Sequence, residues 1–219
     1  MNIQPISEGE AQKIAEDFIQ KQGWLARTSG LPVTDVETMA LRAGYQVTTM
    51  PGLGRICSTW GVGYYNVPEA RYMILIDEDS YANHYQSAQF TIAEELGHYL
   101  AHFPLIKNIK SLLERINFEK SLANTPAHLI IESQAKKVAS SLLLPAKYFD
   151  PYSIGFFAQH LSSLRGSSFP SEAKVAERIA TDLAPALTLS QEITERALLR
   201  KLPNTVTSVI IQKFGLIIP

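Results

Sequence analysis

The chain has 219 residues, of which 46% are hydrophobic and 19% charged, and its formal net charge is −1. Such a composition is typical of a globular protein, and the length suits one domain with at most a small appendage. The near-neutral charge gives no electrostatic argument for nucleic acid or an anionic membrane, and the single cysteine, Cys57, excludes an intrachain disulfide. A polar start without a long apolar run predicts a cytoplasmic protein with no signal peptide or membrane span.

The N-terminal part predicts two helices followed by a small sheet. Ser7 can cap the first helix, with Glu10 completing a capping box, and Thr34 can cap a second helix over 35–43. Short segments rich in β-branched and aromatic residues then predict an antiparallel sheet of three or four strands. The predicted strands are 45–49, 56–60, 63–66 and 72–76. Residues 77–83 are expected to form a polar, solvated connection.

The rest of the chain is predicted to be mostly helical. Apolar residues at helical spacing indicate helices over 87–102, 126–143, 148–164, 171–184 and 190–202. The poorly patterned segment 105–125, with one short helix near 111–118, is expected to be an insertion or lid. The apolar tail from Val206 is a strand, a helix or a surface that buries against a partner.

The most informative segment is FTIAEELGHYLAH at 90–102. Zinc peptidases carry His-Glu-x-x-His on a helix, where the two His hold the metal and the Glu acts as general base. Here Glu95 and His98 occupy the base and second-ligand positions, but Glu94 stands where the first His belongs. Residues four apart share a helix face, so Glu94 and His98 can meet one ion while Glu95 reaches water beside it. Gly97 leaves room for another backbone or a substrate.

A catalytic zinc needs three protein ligands, so the third must come from elsewhere in the chain. Glu132 is the best candidate because it sits beside the apolar stripe of the predicted helix 126–143. A carboxylate in that position is costly unless it is paired or ligating.

Two alternatives to this ligand set stay open. His98 and His102 are also four residues apart and could form a site with Glu95 or Glu132. In the second alternative no metal binds. The remaining histidines have no evident spacing partner and are expected to be surface or packing residues: His84, His128 and His160.

Two motifs together resemble the ImmA/IrrE metallopeptidase family. The family's first motif reads close to F-T-L-A-H-E-L-G-H-x-L-L-H, and its second, E-x-x-A-N-x-F-A-x-x-L-L-M-P, is similar to ESQAKKVASSLLLP at 132–145. The resemblance covers about 8–202 and implies an α+β fold with a zincin-like core. In that core a small antiparallel sheet packs on the active-site helix. It also implies a peptidase domain over 1–165 and a helical C-terminal extension over 166–219, packed on the same domain.

The resemblance implies Glu95 as general base and His98 and Glu132 as metal ligands, with Glu94 as the departure from the family pattern. Members of the family are zincin-like peptidases, and several cleave helix-turn-helix repressors. The implied function is therefore a zinc-dependent endopeptidase that cleaves a regulatory protein such as a repressor. Because Glu94 and Glu132 offer oxygen ligands, we expect the site to favour Mn²⁺ or Fe²⁺ more than an imidazole-rich zinc site does.

A competing hypothesis follows from Glu94. The protein could be a catalytically inactive pseudopeptidase without metal, which binds a protein partner in the groove beside the active helix. A helix-turn-helix-like DNA-binding role for the last two helices is a weaker alternative, because acidic residues offset most basic residues there.

Overall fold

The computed structural model describes residues 3–26, 30–57 and 59–219, which form an α+β fold. The chain divides into two compact units. Residues 1–25 and 34–143 make the first unit, and residues 26–33 and 144–219 make the second. These units are defined by packing alone, and the predicted division after residue 165 stays a prediction.

The first unit contains a mixed sheet. Its strands have the following bounds: β1 (Tyr45–Met50), β2 (Gly61–Asn66) and β3 (Arg71–Asp77). Their order is β1-β3-β2, so that β3 pairs parallel with β1 and antiparallel with β2. Residues 72–77 of β3 are all buried, as expected of a central strand covered on both faces. The predicted antiparallel arrangement is therefore wrong for β1, which runs parallel to its neighbour β3.

The strand predicted over 56–60 is also wrong. Helix α3 (Leu53–Cys57) occupies its first two positions, Thr59 and Trp60 lie in a bend, and Ser58 is outside the described residues. The Gly52 carbonyl accepts hydrogen bonds from two backbone amides of α3, at 3.1 and 3.2 Å. Helical pairing from the preceding turn thus overrides the β propensity of this apolar segment.

Six further helices belong to the first unit's described residues. They are α1 (Glu8–Gln22), α2 (Val36–Arg42), α4 (Glu78–Asn83), α5 (Tyr85–Ile106), α6 (Leu112–Leu122) and α7 (Pro126–Leu143). The predicted capping box of α1 is confirmed, because the Ser7 amide donates to Glu10 Oε2 at 2.7 Å and the Glu10 amide donates to Ser7 Oγ at 3.2 Å. Helix α2 is capped by Asp35 rather than by Thr34, since Asp35 Oδ1 accepts from the Thr38 amide at 3.0 Å.

Residues 78–83 form helix α4 instead of the predicted polar connection. Asp77 explains the difference, because its carboxylate accepts from the Ser80 amide at 3.3 Å and from the distant Gly54 amide at 3.0 Å. These hydrogen bonds hold the pKa of Asp77 below its ordinary value, although burial opposes them. Asp77 is therefore a buried helix cap, and the expectation of a solvated turn is wrong for it, whereas Glu78 and Asp79 are exposed as expected, although within a helix.

Helix α5 is longer than predicted and kinks where the sequence predicted its end. His102 departs from helical geometry, with φ of −122° and ψ of 19°. Pro104 explains the kink, because proline has no amide to donate to the preceding turn and its ring crowds that turn. The helix then continues to Ile106.

Helices α5 and α7 pack backbone against backbone. A Cβ atom built on Gly97 would lie only 2.5 Å from the carbonyl oxygen of Ala135. Ala135, Val138 and Ala139 on α7 are fully buried at this contact. The expectation that Gly97 leaves room for another backbone is confirmed, and this close contact sets the spacing of the two helices that carry the candidate site.

The second unit is helical, which confirms the predicted helical C-terminal part. Its helices are α8 (Ala146–His160), a short 3-10 turn (Ser162–Leu164), α9 (Glu172–Leu187), α10 (Gln191–Leu198) and α11 (Val206–Phe214). Side-chain oxygens of Ser171, Ser190 and Thr205 accept backbone amides at the starts of α9, α10 and α11. The apolar tail, for which strand and helix were both open, thus forms a helix followed by Gly215 in the left-handed region, at φ of 63°.

Candidate metal centre

The candidate centre lies in the first unit, where helices α5 and α7 meet beside strand β2. Ile92 and Leu96 are fully buried and fix the orientation of α5. Glu94 and His98, one helical turn apart, therefore project from a common face into a cavity that Glu132 of α7 also lines. The structure thus brings together the three residues predicted as metal ligands.

The three side chains are close enough to share one ion. One ligand atom each from Glu94, His98 and Glu132 lie within 4.8 Å of one another, and His98 Nε2 is 3.4 Å from Glu132 Oε1. Ligand atoms on a tetrahedral zinc ion, at about 2.0 to 2.2 Å from the metal, are roughly 3.3 Å apart. The side chains therefore fit a divalent cation with only small adjustments.

The protonation states also suit a cation. Burial lowers the pKa of His98 well below its ordinary value, so the imidazole is neutral and can donate a lone pair. Burial raises the pKa of Glu132, because its charged form is poorly solvated there, and the nearby Glu119 carboxylate raises it further. A bound cation would relieve this penalty on the carboxylate.

Glu95, predicted as the general base, points toward the sheet side of the cavity. Its Oε2 accepts a hydrogen bond from the Gly63 amide of β2 at 2.7 Å, and Arg115 Nη2 of α6 lies 3.9 Å from the same oxygen. Burial raises the pKa of Glu95 to about 8, against the opposing effect of Arg115. A carboxyl group with this pKa can both accept and release a proton near neutral pH.

Gly63 is required for the position of Glu95. A Cβ atom at residue 63 would lie 2.6 Å from Tyr72 Oη and 3.1 Å from Glu95 Oε2. Any other residue would therefore push against the carboxylate or against the buried Tyr72 hydroxyl. The close approach of β2 to α5 thus depends on a glycine, as is common where a backbone passes a functional side chain.

Sequence reasoning missed three polar residues of the cavity. Arg115 Nη1 pairs with Glu119 Oε1 at 2.6 Å on α6. His128 Nε2 of α7 lies 3.6 Å from Glu119 Oε2 and 3.8 Å from Glu132 Oε1. The prediction that His128 has no spacing partner is wrong, because His128 and Glu132 are four residues apart on one helix. The same spacing between Arg115 and Glu119 was also available in the sequence.

Lys136 lies close to Glu94, the residue that replaces the first His of the zinc-peptidase pattern. Its Nζ lies 3.8 Å from Glu94 Oε1, and both side chains are partly exposed. A lysine ammonium at this distance competes with a cation for the same carboxylate oxygen.

His102, the alternative ligand, is engaged elsewhere. Gln134 Nε2 donates to the Gln4 carbonyl at 2.6 Å, which directs Gln134 Oε1 toward His102 Nε2 at 2.7 Å. Because an amide oxygen only accepts, His102 Nε2 carries the proton of this hydrogen bond. Neither ligand group found among the described residues includes His102.

The cavity has a volume of about 500 Å³ and is lined by α5, α6 and α7 together with the region around β2. The segment 105–125, predicted as an insertion or lid, contributes helix α6 as one wall. Ser111 caps that helix by accepting from the Glu114 amide at 3.2 Å. Whether α6 moves as a lid stays a prediction.

A scan against models of protein families and a search among curated proteins both give no match for this chain. In the described parts of the sequence, no helix is both long and apolar enough to span a membrane. The structure thus gives an α+β protein with a His/Glu cluster, partly buried, that could hold a metal ion.

Proposed function

We propose that this protein is a metal-dependent endopeptidase with a zincin-like core that cleaves a regulatory protein, such as a helix-turn-helix repressor. One observation carries the proposal. Glu95, held at 2.7 Å by the Gly63 amide, lies in the same cavity as the ligand group of Glu94, His98 and Glu132. A proton-transferring carboxylate beside a three-residue cation site is the arrangement that metal-assisted peptide hydrolysis requires.

Glu94, His98 and Glu132 would hold the cation. When bound, a divalent ion supplies Lewis-acid polarisation of a peptide carbonyl and of water. One imidazole with two carboxylates makes an oxygen-rich set, which favours Mn²⁺ or Fe²⁺ more than the imidazole-rich sets of zinc enzymes do. Zn²⁺ remains the first ion to test, because the motif around Glu95 resembles that of zinc peptidases.

Glu95 performs the proton transfers in this mechanism. It accepts a proton from water as the water oxygen forms a bond to the peptide carbon. It then gives that proton to the amide nitrogen as the carbon–nitrogen bond breaks, so the products are a carboxylic acid and an amine. The Gly63 amide keeps one oxygen of Glu95 fixed, which leaves the other oxygen for this exchange.

The decisive test replaces Glu95 with glutamine, which keeps the shape of the side chain but cannot accept a proton. The zinc- or manganese-loaded wild type is incubated with a peptide library made from a whole proteome, and new termini are identified by mass spectrometry. We expect new termini from wild type and at least a hundredfold fewer from Glu95→Gln, in keeping with the usual size of general-base effects, about 10² to 10⁴. The control Glu78→Gln changes an exposed carboxylate of α4 and should cleave like wild type.

A wild type that produces no new termini, or a Glu95→Gln variant that cleaves as fast as wild type, would refute the peptidase proposal. Metal binding by Glu95→Gln must be measured in parallel. An unchanged metal content then assigns the loss of cleavage to proton transfer rather than to loss of the ion.

A second candidate function is a catalytically inactive regulator that binds a protein partner in the same cavity. The observation that favours it is Lys136, whose ammonium lies 3.8 Å from Glu94 and stands as a built-in counterion. This candidate predicts no bound metal and partner binding that is unchanged by a chelator and by Glu95→Gln. Binding that is lost on chelation would exclude it.

A further inference from the structure

We propose that the cavity binds a second divalent cation through Glu119, His128 and Glu132, and that Glu132 bridges the two ions. The inference rests on the proposed metal-dependent function and deepens it, from a single ion to a dinuclear centre. It assigns a role to α6 and to His128, which the single-ion mechanism does not use.

The distances bring a second set of ligands together beside the first, with Glu132 common to both. One ligand atom each from Glu119, His128 and Glu132 lie within 4.8 Å of one another, the same limit that holds for Glu94, His98 and Glu132. Glu132 Oε1 is 3.4 Å from His98 Nε2 and 3.8 Å from His128 Nε2. One oxygen of Glu132 is therefore within 3.8 Å of both imidazoles, which is close enough for the Glu132 carboxylate to be shared by two ions.

The two oxygens of Glu119 have separate partners. Oε1 pairs with the buried Arg115 at 2.6 Å, whereas Oε2 faces His128 Nε2 at 3.6 Å. Arg115 thus orients the carboxylate and leaves Oε2 directed to the proposed site. This is the arrangement expected of a supporting residue behind a metal ligand.

The two halves of the centre match chemically. Each ion would have one imidazole and one terminal carboxylate of its own, His98 with Glu94 and His128 with Glu119, and both would share Glu132. Carboxylates at the terminal positions offset the charge of two divalent ions held about 3.5 to 4 Å apart, which is the separation in two-metal hydrolytic sites. A glutamate at position 94, unexpected for a single-zinc site, is a suitable ligand in a paired site.

The competing explanation for the same contacts is a cation-free cluster in which a proton on His128 pairs with Glu119 and Glu132. Metal stoichiometry distinguishes the two. Native mass spectrometry of the full chain titrated with Mn²⁺ should show two ions per chain. Electron paramagnetic resonance of the same sample should show an exchange-coupled pair of Mn²⁺ ions, because a bridging carboxylate couples their spins.

Two variants test the second site separately. His128→Ala and Glu119→Gln should each reduce the content from two ions to one and remove the exchange coupling. Both side chains are partly exposed, so both variants are expected to fold, which circular dichroism checks. The controls His84→Ala and Glu114→Gln change exposed residues outside the ligand groups and should keep two coupled ions.

The outcomes separate this inference from the proposed function. A wild type with one ion that is lost in His98→Ala but kept in His128→Ala would overturn the second site and leave the single-ion mechanism standing. A wild type that binds no Mn²⁺ or Zn²⁺ would overturn both. Two ions without exchange coupling would overturn the bridging role of Glu132.

Discussion

The two compact units share one use of polar side chains and differ in another. In both units side chains cap helix starts, as Ser7 and Ser111 do in the first and Ser171 and Ser190 do in the second. In the first unit, charged side chains from separate helices are buried against one another, as Glu95 of α5 and Arg115 of α6 are. Helix caps stabilise local structure by about 1 kcal/mol each, whereas buried charge is costly unless it is compensated.

The difference indicates where function resides. Capping residues follow from the local sequence and need no ligand. A cluster of buried and half-buried carboxylates and imidazoles from three helices is costly to stability, and such clusters concentrate at functional sites. The first unit is therefore the unit to probe with metals and substrates, and the second provides matched controls within the same chain.

The largest expected contrast between the units comes from adding one methyl group to a helical glycine. In Gly97→Ala the new Cβ would lie 2.5 Å from a backbone oxygen of α7, so the helices must separate. We expect the free energy of unfolding to fall by about 2 kcal/mol, in the range of overpacking substitutions. In Gly155→Ala of α8 the new Cβ meets no atom within 4 Å, so this change should raise the free energy of unfolding by about 0.5 kcal/mol.

Urea denaturation of both variants measures this contrast. Equal effects at the two glycines would show that the α5–α7 contact is not as close as described, and the position of Glu132 relative to His98 would need revision.

A smaller effect should appear in the pH dependence of stability, through Asp150 in the second unit. Burial raises the pKa of Asp150 from 3.8 to about 6, partly offset by Arg200. The folded state therefore holds this proton more tightly than the unfolded state, so the stabilisation is present below pH 3.8 and is lost as pH rises through about 6. Solvent screening of a partly exposed group limits the loss to about 1 kcal/mol.

Asp150→Asn lacks this titration and is the comparison that isolates it. The difference in unfolding free energy between Asp150→Asn and wild type should change by about 1 kcal/mol in favour of the variant between pH 4 and pH 7. A difference that does not vary with pH would show that Asp150 titrates alike in the folded and unfolded states.

The smallest effect concerns Lys136, whose ammonium competes with a cation for Glu94. Lys136→Met should tighten Zn²⁺ or Mn²⁺ binding by about threefold, a modest gain because the ion pair is partly exposed. The matched control is Lys137→Met, since Lys137 contacts Glu8 and the Ile6 carbonyl instead. Isothermal titration calorimetry measures both, and unchanged affinity in Lys136→Met would argue that Glu94 is not a ligand.

Sequence reasoning predicted the candidate ligand group from helical spacing for Glu94 and His98, and from an apolar stripe and the family resemblance for Glu132. Glu94 and His98 are one turn apart, and Glu132 lies beside an apolar stripe, so each could be placed before any tertiary structure was known. The pairing of Arg115 with Glu119 could have been predicted from their spacing, but their place in the cavity could not, because α6 reaches it only through tertiary packing. His128 could have been found from its spacing to Glu132.

The sheet was harder to predict for a related reason. Strand segments can be recognised locally, but which strands pair depends on contacts between distant residues. The apolar β3 takes the centre of the sheet and β1 pairs with it in parallel, which no local pattern around 45–49 reveals. The same limit hid the hydrogen bond from the Gly63 amide to Glu95, which joins β2 to α5.

The decisive measurement for the proposed metal site is the metal content of the purified, untagged chain, measured by mass spectrometry for wild type, His98→Ala and Glu94→His. We expect bound divalent ions in the wild type, one ion per chain fewer in His98→Ala, and no loss of ions in Glu94→His. A wild type that stays empty after dialysis against Zn²⁺ and Mn²⁺, while Glu94→His takes up zinc, would contradict the proposed metal site. Glu94 would then be the residue that disarms the site.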